Sequence, residues 1–319
     1  MFVACSKTLP AQSQLYMGTV CTINLYQAGT AKLYNQMFTQ IATLEQLFSP
    51  TLPSSTLSQI NQNAGIAAVH VSTEFMEVLQ EALRIAQKTQ GAFDPSIGPL
   101  VKLWGIGSDY PYRPSQEEID KVLPFVDYTK IHIDTKNNTV FLKEKGMALD
   151  LGGIVKGYTA DKLVAIAQRV GITKAFFDLG GNVYAYGSKD GEPWIVGIKD
   201  PQLPQSGPLM KIAITNKSIV TSGAYERFFE QDGKIYHHIL STKTGYPVEN
   251  EVLSATIIST HSMLADALST SLYILGEKEG MELLSTEQAD GILVLKDDKI
   301  VTSPQITPTI LKDHYSFSK

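Results

Sequence analysis

The sequence of 319 residues contains only two cysteines, Cys5 and Cys21, and neither lies at a metal-ligand spacing from other cysteines or histidines. A zinc site is therefore disfavoured, and a disulfide between the two cysteines has little support. Cys21 alternates with Ile23 and Leu25 in a pattern typical of a strand, where a buried free thiol is the expected state.

The sequence also lacks a long apolar run and an excess of positive charge. No stretch approaches the roughly 20 apolar residues of a membrane-spanning helix. The net charge of -5 and the absence of a lysine- or arginine-rich run remove the usual electrostatic basis for binding nucleic acid, which is not an expected partner. A hydrophobic fraction of 43% is enough for a substantial core, in one large domain or two small, closely packed ones.

The N-terminus carries a short motif that stands apart from the folded body. Residues 2–5, Phe-Val-Ala-Cys, resemble a bacterial lipobox, in which the cysteine becomes the lipidated first residue. The charged and apolar parts of a signal peptide are missing, so the sequence is expected to start just before the box. We predict a tether over residues 1–14, a folded domain over residues 15–319, and a lipid on Cys5 that anchors the protein to a bacterial membrane in the periplasm or another extracytoplasmic space. The alternative is an ordinary cysteine in a frayed tail.

Periodic patterns along the chain predict a mixture of helices and strands. Apolar residues at spacings of three or four predict amphipathic helices over residues 33–48 and 73–89, and Gly91 is placed to end the second helix. Short alternating segments predict a series of strands between residues 175 and 259. Clustered strands with intervening helices indicate a mixed α/β (α+β) fold.

A paired-glycine turn follows an apolar strand at Asp150. Gly152 and Gly153 would let the backbone approach a ligand closely, and the helix that follows presents free N–H groups, with Lys156 in its first turn. These features are compatible with phosphate binding, although the segment is neither a Walker A loop nor a GxGxxG motif. A tight turn without a ligand is the alternative.

Asp266 and Thr270 lie in a helix predicted from about Ser262 to Leu275, which a second helix over residues 277–284 follows. Residues four apart share a helix face, so this carboxylate and this hydroxyl can meet one cation with the oxygen ligands that Mg²⁺ prefers. Two side chains suffice if water and a substrate pyrophosphate complete the coordination. The alternative is that Ser262 caps the helix and Asp266 is solvated.

Two adjacent histidines, His237 and His238, lie in a predicted strand. Neighbouring side chains of a strand point to opposite faces, so at most one of them faces a given pocket. A histidine near its ordinary pKa can act as a general base. Either residue could instead belong to the surface or the core.

The order of these motifs along the chain resembles that of the ApbE-like FAD:protein FMN transferase family. The resemblance extends from about Met17 to Leu275, and several motifs in the correct order are far more specific than any one of them. The matching segments are Met17-Gly18-Thr19, Gly91-Ala92-Phe93-Asp94, Gly98-Pro99-Leu100-Val101, Trp104-Gly105, Asp150 to Tyr158, Asp178-Leu179-Gly180-Gly181-Asn182, Ser222-Gly223, His238-Ile239, Thr244-Gly245, and Asp266 with Thr270.

The resemblance implies an ApbE-like fold of two intimately packed subdomains with FAD between them, a need for Mg²⁺, and attachment to a bacterial membrane. Members of the family transfer the FMN part of FAD to a threonine or serine hydroxyl of a target protein and release AMP. Flavinylated targets carry a Ser/Thr-Gly-Ala-Thr signature. FAD, target proteins of this kind and the membrane are thus the expected partners.

The resemblance also implies roles for individual residues. Asp266, Thr270 and the backbone carbonyl of Gly153 would hold the metal, and Asp266 would be required for turnover. His238 is the candidate base that takes the proton from the attacking hydroxyl. The residues expected to contact FAD are Met17, Thr51, Ala92, Phe93, Asp94, Asp150, Lys156 and the backbone near Leu240.

Some positions depart from the family pattern. Thr51 stands where members often carry an aromatic residue, and the missing ring would weaken one stacking contact with FAD. Looser binding of FAD would favour water as the acceptor, so an FAD pyrophosphatase that forms FMN and AMP is an alternative function, and a non-catalytic flavin-binding lipoprotein is a further one. Residues 221–224 resemble the acceptor signature, but Tyr225 occupies the position of the accepting threonine. The chain is therefore not expected to be a target of its own reaction.

Overall fold

The computed structural model describes residues 9–317, so the predicted lipid site at Cys5 lies outside the described residues. Helices and strands are mixed along the chain, which confirms the α/β class.

The helices are α1 (Ala31–Phe48), α2 (Thr56–Gln62), α3 (Thr73–Lys88), α4 (Gly98–Trp104), α5 (Gln116–Val122), α6 (Val155–Arg169) and α7 (Ser262–Ser285). The strands are β1 (Gln12–Tyr16), β2 (Thr19–Asn24), β3 (Val69–His70), β4 (Ile131–Asp134), β5 (Thr139–Leu142), β6 (Lys174–Leu179), β7 (Asn182–Gly187), β8 (Trp194–Lys199), β9 (Pro208–Ile214), β10 (Lys217–Gly223), β11 (Phe228–Gln231), β12 (Lys234–His237), β13 (Val252–Ser259), β14 (Asp290–Leu295), β15 (Lys299–Thr302), β16 (Thr309–Ile310) and β17 (Ser316–Phe317). Between residues 9 and 317, no helix combines the length and the apolar character needed to cross a membrane.

A nine-stranded sheet forms the centre of the fold, in the order β1-β2-β6-β7-β10-β13-β14-β15-β17. Its neighbouring strands are antiparallel except for the pair β15 and β17. Consecutive residues of a strand point to opposite faces. Ile257 and Leu293 accordingly pack with the helices, whereas Ile258 and Ile292 pack with the three-stranded sheet β16-β9-β8. The fold therefore has three layers, with the large sheet in the middle.

The large sheet begins inside the segment predicted as a tether. β1 pairs with β2 along its whole length, so residues 12–14 belong to the sheet rather than to a tether. β1 is an edge strand and is mostly exposed, so it lacks the apolar alternation that reveals a strand in the sequence.

Cys21 in β2 is buried, as expected, and burial raises the pKa of its thiol to about 11.

The structure confirms the helices predicted from periodicity. The apolar stripes over residues 33–48 and 73–89 correspond to α1 and α3, which bury these residues against the core. The late segment forms the single element α7, but Gly276 within it has non-helical backbone angles (φ 76°, ψ -166°). This break lies between the two helices that the sequence predicts there.

Helices α6 and α7 cross at Gly157. A Cβ atom at this position would overlap the carbonyl oxygen of Ser262 and lie 2.8 Å from Cβ of Asp266, so the close approach requires glycine. A second contact comes from Asp161 of α6, whose carboxylate accepts from the N–H groups of Ser262 and Met263 at 2.8 and 2.9 Å. These bonds satisfy free donors at the start of α7. The two contacts together fix the first turns of α7, and with them Asp266, against α6.

Replacement of Gly157 by alanine is expected to lower the free energy of unfolding by about 1–3 kcal/mol, because backbone atoms of α7 would have to move. Chemical denaturation followed by circular dichroism measures this change. The control Gln168→Ala, at an exposed position of the same helix, should change the free energy of unfolding by no more than about 0.5 kcal/mol. Equal stability of Gly157→Ala and the wild type would contradict the need for a close helix crossing.

Candidate functional site

The paired-glycine turn leads into the start of α6. The carboxylate of Asp150 accepts from the N–H of Gly152 at 2.8 Å, and the ammonium of Lys156 donates to the carbonyl of Gly152 at 3.0 Å. Desolvation raises the pKa of Asp150, while the bond from Gly152 and the charge of Lys156 lower it. The turn thus holds a carboxylate and an ammonium group close to the N-terminus of α6.

The structure places Gly153, Asp266 and Thr270 together. A Cβ atom on Gly153 would lie 3.5 Å from Oγ1 of Thr270, so the glycine turn contacts α7 at this point. Asp266 is only 3% exposed. Its Oδ2 accepts from the N–H of Gly157 at 2.9 Å, and its Oδ1 lies 3.7 Å from Nζ of Lys156. One oxygen of this buried carboxylate is therefore fixed by α6, and the other faces a positive charge.

This arrangement suits a hard divalent cation. A carboxylate, a hydroxyl and a backbone carbonyl are oxygen ligands of the kind that Mg²⁺ takes. The ammonium of Lys156 shows that positive charge is accommodated next to Asp266. Between residues 9 and 317, no group of three or more His, Cys, Asp or Glu side chains is placed to hold a metal. A cation at Asp266 would therefore depend on water and substrate oxygens to complete its coordination.

The loop over residues 91–98 packs on the glycine turn. Phe93 is 7% exposed, and its Cε2 would lie 3.3 Å from a Cβ atom on Gly153. Ala92 is equally buried. The N–H of Asp150 donates to the carbonyl of Pro95 at 2.9 Å, which ties the loop to the segment before the turn. This segment is not the strand that the sequence predicts, because it forms only isolated β-bridges such as the one between Ala148 and Ile97. The loop therefore adds an aromatic ring to the surroundings of Gly153.

Asp94, in the same loop, is engaged within the protein. Its Oδ1 accepts from the N–H and the hydroxyl of Ser96 at 2.7 and 2.6 Å, and its Oδ2 accepts from the N–H of Tyr128 at 3.0 Å. Burial raises the pKa of Asp94, while these bonds lower it. These bonds hold the loop in shape, and the contact of Asp94 with FAD that the family resemblance implies stays a prediction.

Leu240 lies in a second loop that joins the first. It pairs with Pro247 through an isolated β-bridge and is 6% exposed. The hydroxyl of Thr242 donates to the carbonyl of Gly91 at 2.7 Å. The loop after β12 is thus attached to the loop over residues 91–98.

The two adjacent histidines have different surroundings. Both ring nitrogens of His237 are used, because Nε2 lies 3.0 Å from the carbonyl of Val248 and Nδ1 accepts from the N–H of Ile239. Nδ1 of His238 lies 3.2 Å from the carbonyl of Arg227. A carbonyl can only accept, so Nδ1 of His238 carries the proton and Nε2 keeps a lone pair. Desolvation lowers the pKa of His238 to about 4, so its ring is neutral at neutral pH.

Met17 and Thr51 lie in different parts of the fold. Met17 adopts a left-handed conformation (φ 52°) after β1, and its N–H donates to Oε1 of Glu45 at 2.6 Å. Its sulfur lies 3.6 Å from the hydroxyl of Thr159, so Met17 borders α6. Thr51 is exposed, and its hydrogen bonds within residues 9–317 are to Ser49. These bonds do not connect Thr51 with the other candidate residues.

Ser222 is a further candidate residue, for which neither the sequence patterns nor the family resemblance predicts a role. Its Oγ, near the end of β10, lies 2.8 Å from Oγ of Ser269 and 3.4 Å from Oγ1 of Thr270. The Ser222-Gly223 motif marks this position in the sequence. Only the packing of β10 against α7 shows which hydroxyl groups Ser222 contacts.

Glu226 is a second such residue, in the turn after β10. Surrounding protein desolvates its carboxyl although the side chain reaches solvent, and this desolvation raises its pKa to about 7. The charge of Lys156 lowers the pKa and the charge of Asp266 raises it. A single acid in a turn offers no signal in the sequence, because its protonation depends on groups that are distant along the chain.

The chain is similar to known sequences of one family. The model of the ApbE family matches residues 17–295. The chain is 38% identical to the FAD:protein FMN transferase of Klebsiella pneumoniae (strain 342) over 295 residues, which covers 92% of each protein. It is 34% identical to the FAD:protein FMN transferase of Treponema pallidum (strain Nichols) over 319 residues, which covers 94% of this chain and 88% of that protein.

Solved structures show the same fold. The ApbE protein of Thermotoga maritima superposes with a TM-score of 0.84 at 32% identity, covering 92% of this chain and 96% of that chain. The flavin transferase ApbE of Vibrio cholerae superposes with a TM-score of 0.83 at 30% identity, with the same coverage of 92% and 96%. Both comparisons confirm the mixed α/β fold.

The carboxyl of Glu226 is expected to titrate near pH 7. Lys156→Met should raise the pKa of Glu226 further, because the variant loses a positive charge that favours the carboxylate. Carbon-detected NMR of the glutamate side chains as a function of pH measures both values. A pKa near the ordinary 4.5 in the wild type, or no change in Lys156→Met, would contradict the electrostatic coupling between these groups.

Proposed function

Because the chain belongs to the ApbE family, we propose that it is an FAD:protein FMN transferase that requires Mg²⁺. It would move the FMN part of FAD to a threonine or serine hydroxyl of a target protein and release AMP. The activity named for its relatives supports the transfer itself. The geometry around Asp266 supports the need for a metal.

The observation that carries this proposal is the meeting of Gly153, Asp266 and Thr270 beside Lys156. The oxygen atoms come from the glycine turn and from α7, which are far apart in the sequence. Such convergence is expected of a binding site and not of a solvated helix face. A site with few protein ligands also suits a substrate whose own phosphate oxygens complete the coordination. The pyrophosphate of FAD is such a substrate.

Different residues of this chain would have different roles in the reaction. The acceptor hydroxyl would attack the phosphorus of the FMN part, while the bond to the AMP oxygen breaks. When bound, Mg²⁺ would neutralise charge on the pyrophosphate and on the departing AMP. Lys156 would add positive charge near the same phosphates. His238 would take the proton of the acceptor at Nε2, the ring nitrogen that keeps a lone pair because Nδ1 already donates to the carbonyl of Arg227.

We place the flavin between two parts of the molecule. One part comprises the loop over residues 91–98 and the attached loop that contains Leu240, where Phe93 offers an aromatic ring. The other comprises the start of α6 and the neighbouring Met17. We also propose that a lipid on Cys5 holds the protein at a bacterial membrane outside the cytoplasm. The lipobox-like residues 2–5 support this location.

The two alternative functions are not favoured. The curated relatives described above are named as transferases, rather than as pyrophosphatases or carriers. Transfer to a protein hydroxyl is therefore the function that the observations support best.

Incubation of the protein with FAD, Mg²⁺ and a peptide that contains the acceptor signature is expected to add the mass of FMN to the peptide and to release AMP. Mass spectrometry of the peptide and chromatography of the nucleotides measure the two products. Asp266→Ala should abolish metal-dependent turnover, because it removes the only charged ligand of the proposed metal site. The variant also leaves the N–H of Gly157 without its acceptor, so circular dichroism must show that it is folded before its activity is compared.

Glu279→Ala, at an exposed acid on the same helix, is the matched control and should retain full activity. If free FMN and AMP accumulate at the same rates with and without the peptide, the protein is a hydrolase of FAD and the proposal of transfer is wrong. Unchanged activity in Asp266→Ala would overturn the metal assignment.

A further inference from the structure

A row of hydroxyl groups connects the candidate metal site to the backbone of α7. Oγ1 of Thr270 lies 3.4 Å from Oγ of Ser222, and Oγ of Ser222 lies 2.8 Å from Oγ of Ser269. Oγ of Ser269 in turn lies 2.8 Å from the carbonyl oxygen of Asp266. Ser269 is fully buried, and Ser222 is partly buried. Within residues 9–317, the only side-chain hydrogen bond of Thr270 is the one with Ser222.

The number of protons in this row determines the direction of its hydrogen bonds. Each hydroxyl has one proton to donate and two lone pairs to accept with. The carbonyl of Asp266 can only accept, so Ser269 donates to it. The proton between Ser222 and Ser269 must then come from Ser222. Ser222 has no second proton, so Thr270 donates to Ser222 rather than accepting from it.

This direction matters for a cation at Thr270. A hydroxyl binds Mg²⁺ through a lone pair, and its proton has to point elsewhere. A proton donated to Ser222 leaves both lone pairs of Thr270 free on the other side. The contact of 3.4 Å is long for a hydroxyl pair. It therefore contributes little to folding stability, and its effect is on the direction of the Thr270 proton.

We propose that Ser222 is a positioning residue for the metal site, which accepts the proton of Thr270 and so turns the lone pairs of Thr270 toward the cation. This inference rests on the proposed function, because it needs Asp266 and Thr270 to bind a metal. In this role Ser222 acts through Thr270. Groups that orient metal ligands in this way commonly change the metal affinity by about 10- to 100-fold when they are removed.

The chain provides a matched control on the same two elements. Ser218, also in β10, bonds through Oγ to Oγ of Ser262 in α7 at 2.7 Å and is fully buried. Ser218→Ala thus removes a serine pair between β10 and α7 without affecting Thr270. A purely structural role of Ser222 would make the two serine-to-alanine variants equivalent.

Mn²⁺ titrations of the full chain in the presence of FAD, followed by the electron paramagnetic resonance signal of free Mn²⁺, test the inference. Ser222→Ala is expected to weaken Mn²⁺ binding by about 10-fold or more, while Ser218→Ala leaves it unchanged. Ser222→Thr retains the hydroxyl and should restore most of the affinity. Thermal unfolding of each variant shows that it is folded.

A double substitution makes the test independent of small changes in packing. Thr270→Val should weaken Mn²⁺ binding, and the addition of Ser222→Ala should cause no further loss, because Ser222 acts through Thr270. If the losses of the two single variants add up in the double variant, or if Ser222→Ala binds Mn²⁺ as tightly as the wild type, the proposed role of Ser222 is wrong. The metal site would not be affected by either result. Failure of the wild type to bind Mn²⁺ would instead overturn the metal site itself, and this inference with it.

Discussion

The hydrogen bond from the N–H of Gly157 to Oδ2 of Asp266 joins the two helices on which the site is built. It requires α6 and α7 to approach closely, and only glycine leaves room for that approach. The bond orients a buried carboxylate so that its second oxygen faces Lys156. It also brings Thr270, one turn further along α7, to the glycine turn at Gly153. The positions of the candidate ligands therefore follow from one crossing of two helices.

The charges around this crossing explain why a cation would be favourable there. Asp150 and Glu226 both have raised pKa values because surrounding protein desolvates them, and the charge of Asp266 adds to the shift at Glu226. Lys156 opposes both shifts. Added positive charge favours the ionised form of a carboxyl and lowers its pKa. A divalent cation at Asp266 would thus act in the same direction as Lys156 and lower the raised pKa values of Asp150 and Glu226.

Local patterns in the sequence were sufficient for part of the site. The four-residue spacing of Asp266 and Thr270 placed them on one helix face, and the apolar stripes of α1 and α3 gave those helices correctly. The contacts of Ser222, the pKa of Glu226 and the strand β1 could not be predicted in this way. Each depends on residues that are distant along the chain, or on an edge strand without apolar alternation.

In the function that we propose, the glycine turn and α7 form one metal site that serves a pyrophosphate. Anomalous diffraction from crystals of the protein grown with Mn²⁺ and FAD tests it most directly. We predict one anomalous peak within about 2.5 Å of oxygen atoms of Asp266, Thr270 and Gly153, with phosphate oxygens completing the coordination. A peak that lies away from Asp266, with FAD bound at the start of α6, would contradict it.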